Sequence, residues 1–186
     1  MTVDAIVLTG GRGSRLGGAD KGALTLGGRT LLARTLAAAS SARATVVVGA
    51  RDGIPEDMLT AREEPPFAGP VAAIAAGLAA LPSPPADRVL VLACDMPFAA
   101  EAVGELLAGG GADGAWAVDQ EGREQPLLAV YRRDALAGAL DALDSVVNAP
   151  MRALTATLTM TPIAVGRAAL DADTWDDVER LRKELS

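Results

Sequence analysis

Short apolar runs alternate with helix-length stretches along this chain, and that alternation constrains its fold more than any other feature. Strand-like runs are predicted at Asp4–Thr9, Ala44–Gly49, Arg88–Ala93, Gly114–Val118, Leu127–Tyr131 and Met160–Val165. Helices are predicted over about Arg29–Ala39, Pro70–Leu81, Ala99–Ala108, Arg133–Leu143 and Thr174–Leu185. Such alternation implies an α/β sandwich around a mainly parallel sheet. Val89-Leu90-Val91-Leu92-Ala93 reads as a strand buried on both faces. Pro70, preceded by Gly69, suits the first position of a helix. Asp173-Thr174 supplies a capping residue for the last helix, whose first turn carries Asp176 and Asp177. The polar segment Asp119–Glu124 lies between two strand-like runs and predicts a hairpin, hence one antiparallel strand.

A chain of 186 residues suits one domain with one sizeable core, and residues 1–186 are expected to form it. Half the residues are hydrophobic but only 3% are aromatic, so alanine, leucine and valine must build that core. No uninterrupted apolar stretch of about 18 residues is present, and no basic segment precedes a signal-like apolar run. The single cysteine has no partner for an internal disulfide. A cytoplasmic protein without membrane contact is the expectation.

The absence of histidine excludes histidine metal sites, histidine general bases and Ser-His-Asp triads. Carboxylates, lysine, arginine, a metal or backbone amides must do any chemistry. The net charge of −7 is unevenly spread. Residues 1–51 hold seven Lys/Arg against two Asp/Glu, whereas residues 52–186 hold ten against twenty-two. The overall acidity argues against nonspecific nucleic-acid binding, and the basic first third suits a small polyphosphate ligand.

That basic third contains the segment with the clearest chemistry. After the run Ala5-Ile6-Val7-Leu8, residues 9–21 hold five glycines, two arginines and a lysine. Glycines let backbone amides approach a bulky anion, and the cations neutralise it. A Walker loop is excluded because Lys21 follows Asp20 and precedes Gly22. The dinucleotide fingerprint is excluded because Leu16 stands at its third glycine.

The order Leu8-Thr9-Gly10-Gly11-Arg12-Gly13-Ser14-Arg15-Leu16-Gly17-Gly18-Ala19-Asp20-Lys21 resembles Leu-Ala-Gly-Gly-x-Ser-x-Arg-Met-Gly-x-Asp-Lys. That signature belongs to the molybdenum cofactor guanylyltransferase family and its nucleotidyltransferase relatives. Thr9 replaces alanine, Leu16 replaces methionine, Gly13 stands where serine is common, and one extra residue precedes Asp20. The resemblance implies a three-layer α/β/α, Rossmann-like nucleotidyltransferase fold. It also implies that Leu8, Thr9, Gly10, Gly11, Arg12, Gly13, Ser14 and Lys21 hold nucleotide, with Arg15 and Lys21 as catalytic cations.

Further segments carry the resemblance in the same order along the chain. Cys94-Asp95-Met96-Pro97 matches the family's metal-binding motif and marks Asp95 as the carboxylate for Mg²⁺ and nucleotide. Cys94, with no histidine to activate it, reads as a core thiol. Before Gly69-Pro70 the family places an acidic residue that contacts the base; Glu64 is the first match and Glu63 the second. A carboxylate there can accept from the N1 and N2 donors of guanine. Asp171-Ala172-Asp173-Thr174 matches the segment that opens the last helix, where Asp173 helps Asp95 hold metal, caps the helix, or does both. Arg123–Leu127 resembles the loop that faces the acceptor in relatives.

The resemblance therefore implies a Mg²⁺-dependent transfer of GMP from GTP to a molybdopterin phosphate, releasing pyrophosphate. Transient contact with molybdenum cofactor biosynthesis proteins or molybdoenzymes belongs to the same expectation. Transfer from CTP to the same cofactor, transfer to another small metabolite or sugar phosphate, and a degenerate nucleotide- or cofactor-binding protein are the alternatives.

Overall fold

The computed structural model describes residues 1–9, 21–49, 53–56 and 58–184. In chain order the strands and helices begin with β1 (Val3–Leu8), β2 (Thr25–Leu26), β3 (Arg29–Thr30) and α1 (Leu31–Ala38). Next come β4 (Thr45–Val48), β5 (Leu59–Ala61), α2 (Pro70–Ala80), β6 (Arg88–Ala93) and α3 (Ala100–Ala108). The chain continues with β7 (Gly114–Val118), β8 (Glu124–Arg132) and α4 (Arg133–Asp141), then α5 (Met151–Thr155), β9 (Met160–Ala164) and α6 (Trp175–Glu184).

Seven strands form one sheet in the order β5-β4-β1-β6-β8-β7-β9, while β2 and β3 form a separate antiparallel ribbon. Only β8 runs against the others, pairing antiparallel with both β6 and β7. The expected α/β sandwich with one antiparallel strand is therefore what forms. β8 begins at Glu124 rather than near Leu127, because the hairpin continues the ladder past Pro126 to Val118 and Glu124.

Period-two alternation divides the core between the two faces of the sheet. Ala5, Val7, Leu90 and Leu92 pack on one face with Leu32 of α1 and Leu106 of α3. Ile6, Leu8, Val89 and Val91 pack on the other with Ile74 of α2, Leu136 of α4 and Leu154 of α5. Gly77 lets α2 approach the sheet closely, since a Cβ there would stand 2.6 Å from Ile6 Cγ2. Near the N-terminal end of β1, fully buried Asp4 accepts from Arg43 at 3.0 and 3.1 Å and from Arg133 at 3.3 Å. A buried carboxylate needs such partners, and here they join β1 to α4.

A smaller third cluster positions the site. Val178 and Leu181 of α6 pack with Leu26, Leu31 and Phe98, so α6 lies against the β2–β3 ribbon and the segment after β6. β2, β5 and α5 lie outside the predicted elements because each is only two to five residues long, whereas β3 takes Arg29–Thr30, the first two positions of the predicted helix, which begins at Leu31 after its Thr30 cap. Among the described residues, no helix is long and apolar enough to cross a membrane.

Candidate active site

Parallel strands deliver their C-terminal ends to one rim of the sheet, and the ends of β1 and β6 are neighbours there. The Thr9 N–H and hydroxyl both donate to the Val48 carbonyl at 2.9 Å, and the Cys94 N–H donates to the Leu8 carbonyl at 2.9 Å. These bonds extend the ladder just past the strands and hold Thr9 and Asp95 at the rim. The Thr9 hydroxyl thus serves the backbone.

Asp95 and Asp173 converge on one cation. Lys21, in a short 3-10 helix over Lys21–Ala23, places its ammonium 3.1 Å from Asp95 Oδ2 and also against Asp173 Oδ1. Burial lowers the lysine pKa, but the Asp173 and Asp95 carboxylates outweigh it and hold the pKa above its ordinary value. The Ala172 N–H donates to the Asp95 carbonyl at 2.9 Å and ties the two aspartate segments together. Asp171 lies close enough for burial and the charges of Asp173, Asp95 and Asp177 to raise its pKa.

The cap of α6 belongs to Thr174 and Asp177. The Asp177 N–H donates to Thr174 Oγ1 at 3.2 Å, and the Thr174 N–H donates to Asp177 Oδ2 at 2.9 Å. This reciprocal pair satisfies the helix start, and the Asp173 carboxylate meets Lys21.

A cavity of about 380 Å³ opens beside these charges, lined in part by Leu8, Thr9, Lys21, Cys94 and Asp95. Its other wall comes from the segment before α2: Glu63, Phe67, Gly69 and Pro70. Gly69 has φ 92° and ψ 172°, a conformation suited to glycine, and it turns the chain into Pro70 at the start of α2. Glu63 is only 6% exposed. Its Oε1 accepts from the Phe67 N–H at 3.0 Å, whereas the buried Oε2 has no hydrogen-bond partner among the described residues. Glu64 is exposed and does not line the cavity. Cys94 is buried, as a core thiol should be.

A second cavity of about 370 Å³ is lined in part by Asp119, Arg123, Gln125, Asp171 and Arg180. The Asp119 carboxylate accepts from the backbone N–H groups of Glu121 and Arg123 at 3.0 and 2.8 Å and from the Arg123 guanidinium at 3.1 Å. This shapes the β7–β8 hairpin. Of the other residues singled out from the sequence, Gly10, Gly11, Arg12, Gly13, Ser14 and Arg15 lie outside the described residues.

Residues 5–160 match the MobA-like NTP transferase domain. The chain belongs to the MobA-like NTP transferase family. It is accordingly a nucleotidyltransferase. A molybdenum cofactor guanylyltransferase of Pseudomonas entomophila strain L48 is 33% identical over 138 residues, covering 70% of this chain and 71% of the relative. The same-named protein of Pseudomonas fluorescens strain SBW25 is 37% identical over 98 residues, and the match spans about half of each, 50% of this chain and 47% of the relative. Among solved structures, the molybdopterin-guanine dinucleotide biosynthesis protein A of Archaeoglobus fulgidus superposes with a TM-score of 0.72 at 23% identity, covering 97% of both chains. That likeness speaks to fold: a Rossmann-like nucleotidyltransferase sheet. A 4-diphosphocytidyl-2C-methyl-D-erythritol synthase of Anaerococcus prevotii shares the fold of the MobA-like chain at 14% identity and a TM-score of 0.70, covering 99% and 96%.

Proposed function

We propose that this MobA-like NTP transferase transfers GMP from GTP to the terminal phosphate of molybdopterin. The observation that carries this reading is the cavity with Lys21 and Asp95 on one wall and Glu63 on another, the buried Glu63 Oε2 having no hydrogen-bond partner among the described residues. Glu63 replaces Glu64 as the base-contacting carboxylate in this proposal. Guanine offers N1–H and N2–H donors to such an oxygen, whereas cytosine offers only its N4 amine. The second cavity, reached by Asp171 and the β7–β8 hairpin, is the proposed acceptor side.

An acceptor phosphate oxygen attacks the α-phosphorus of GTP, the bond to the β-phosphate oxygen breaks, and pyrophosphate leaves with the electron pair. The attacking oxygen is already anionic, so no histidine is needed to remove a proton. Lys21 offers a point charge to the triphosphate, and Arg15 is proposed to add a second. Asp95 and Asp173 fit Mg²⁺ because their oxygens already converge on one cation, and Mg²⁺ favours one or two carboxylates with phosphate oxygens completing its shell. A bound Mg²⁺ supplies charge neutralisation at the phosphates.

Incubation with Mg²⁺, molybdenum cofactor and each NTP in turn, with pyrophosphate release as readout, tests the proposal. Release with GTP is the expected result. Release with CTP alone replaces guanine with cytosine, and binding without turnover for any NTP makes the chain a nucleotide-binding protein.

A further inference from the structure

We infer that Phe67 is the stacking platform for the nucleobase, and this inference rests on the nucleotide reading of the cavity. Phe67 is the only aromatic residue among the described residues lining that cavity, and the residue is 52% exposed. A large apolar ring left half in solvent at a cavity wall has a flat surface to offer, and a base supplies a matching one.

The local backbone fixes where that ring stands. Phe67 has φ 63°, in the left-handed region that disfavours residues with a Cβ. Two hydrogen bonds hold the segment there. The Phe67 N–H donates to Glu63 Oε1 at 3.0 Å, and the neighbouring Ala68 carbonyl accepts from the Asn148 N–H at 2.7 Å. The Arg62 guanidinium lies 5.9 Å from the ring centroid and adds a further contact to the ring.

One carboxylate therefore does two things. Its Oε1 orients the aromatic residue, and its buried Oε2, without a hydrogen-bond partner among the described residues, is the acceptor the proposal gives to the edge of a base. Edge and face of the ligand would be read by two side chains of one short loop, tied together by the bond from the Phe67 backbone N–H to Glu63. Phosphate has no flat face, so Phe67 contributes to nucleoside affinity and not to triphosphate affinity. The aromatic platform accepts any base, and discrimination among bases falls to Glu63.

The test uses the full chain and four proteins: wild type, Phe67→Ala, Phe67→Leu and Phe67→Trp. Equilibrium binding of GTP and of inorganic tripolyphosphate is measured calorimetrically, with steady-state kinetics alongside. Phe67→Ala and Phe67→Leu are expected to weaken GTP binding on the order of tenfold, with the loss carried by KM rather than kcat. Phe67→Trp should recover most of the GTP affinity, and tripolyphosphate affinity should stay at the wild-type value in all three variants. Equal GTP affinity in wild type and Phe67→Ala overturns the inference, as does a parallel loss of tripolyphosphate binding, which marks a merely structural role. A wild-type protein without affinity for any NTP overturns the nucleotide reading itself and the stacking role with it.

Discussion

The Lys21 ammonium lies 3.1 Å from Asp95 Oδ2, joining a residue beside the glycine-rich segment to the end of the central strand β6. Asp173 meets the same ammonium from the segment before α6. A lysine so placed neutralises two carboxylates, and a divalent cation held by them, as proposed, would compete with it. Lys21→Met is expected to lower turnover on the order of 100-fold or more through lost charge stabilisation. The same variant should bind Mn²⁺ more tightly than wild type when no nucleotide is present, measured by paramagnetic resonance titration. Unchanged Mn²⁺ affinity would show that the ammonium and the metal do not share these oxygens.

Asp95→Asn keeps the shape of the side chain and removes its charge. Pyrophosphate release should fall on the order of 100-fold or more, while the thermal midpoint shifts little. Full activity would remove Asp95 from the reaction.

Glu63 and Glu64 are adjacent in sequence but only Glu63 lines the cavity. Glu63→Gln removes the charge of a buried acceptor, so KM for GTP should rise roughly 10- to 100-fold, as for a charged hydrogen bond. Glu64→Gln should leave KM within about twofold of wild type, as expected for an exposed surface substitution. The reverse pattern would assign base contact to Glu64.

The cap of α6 carries a pH dependence. The Asp177 carboxyl is held below its ordinary value of 3.8 first by its hydrogen bond with the Thr174 side chain, with burial opposing and the Thr174 N–H and Arg180 assisting. A depressed carboxylate contributes stability above its unfolded pKa and loses it as pH falls through the folded value. Thr174→Ala should therefore cost about 1 kcal/mol at neutral pH. The gap to wild type should narrow as pH falls below 3.8. Denaturant melts at several pH values would show it, and a gap independent of pH would refute the assignment.

Gly77→Ala drives a methyl group to within 2.6 Å of Ile6 Cγ2 and 3.1 Å of Val48 Cγ2. Overpacking of this kind is expected to destabilise the protein by about 1–3 kcal/mol. A thermal midpoint equal to wild type would show that α2 shifts freely.

Much of the fold is legible in residue order alone, because a strand buried on both faces and an amphipathic helix each carry a local pattern. β6 matches its predicted bounds at Arg88 and Ala93, and β7 matches at Gly114 and Val118. β5 and α5 escape because three and five residues are too few to show a period. The site divides in the same way. Asp95 is legible because it follows the apolar run of β6 after Cys94 alone and adjoins Met96-Pro97.

Sequence by itself determined the alternation of elements, the residue types present at the strand ends, and the exclusion of histidine chemistry, since each is a local or compositional property. Only tertiary structure decided that Glu63 rather than Glu64 lines the cavity, because one step along an irregular loop can turn a side chain from solvent to the interior. It also decided that Asp173 meets Lys21, 152 residues away, and leaves the helix cap to Thr174 and Asp177. That meeting depends on Val178 and Leu181 packing against Leu26 and Phe98, a contact between distant segments that no local periodicity records.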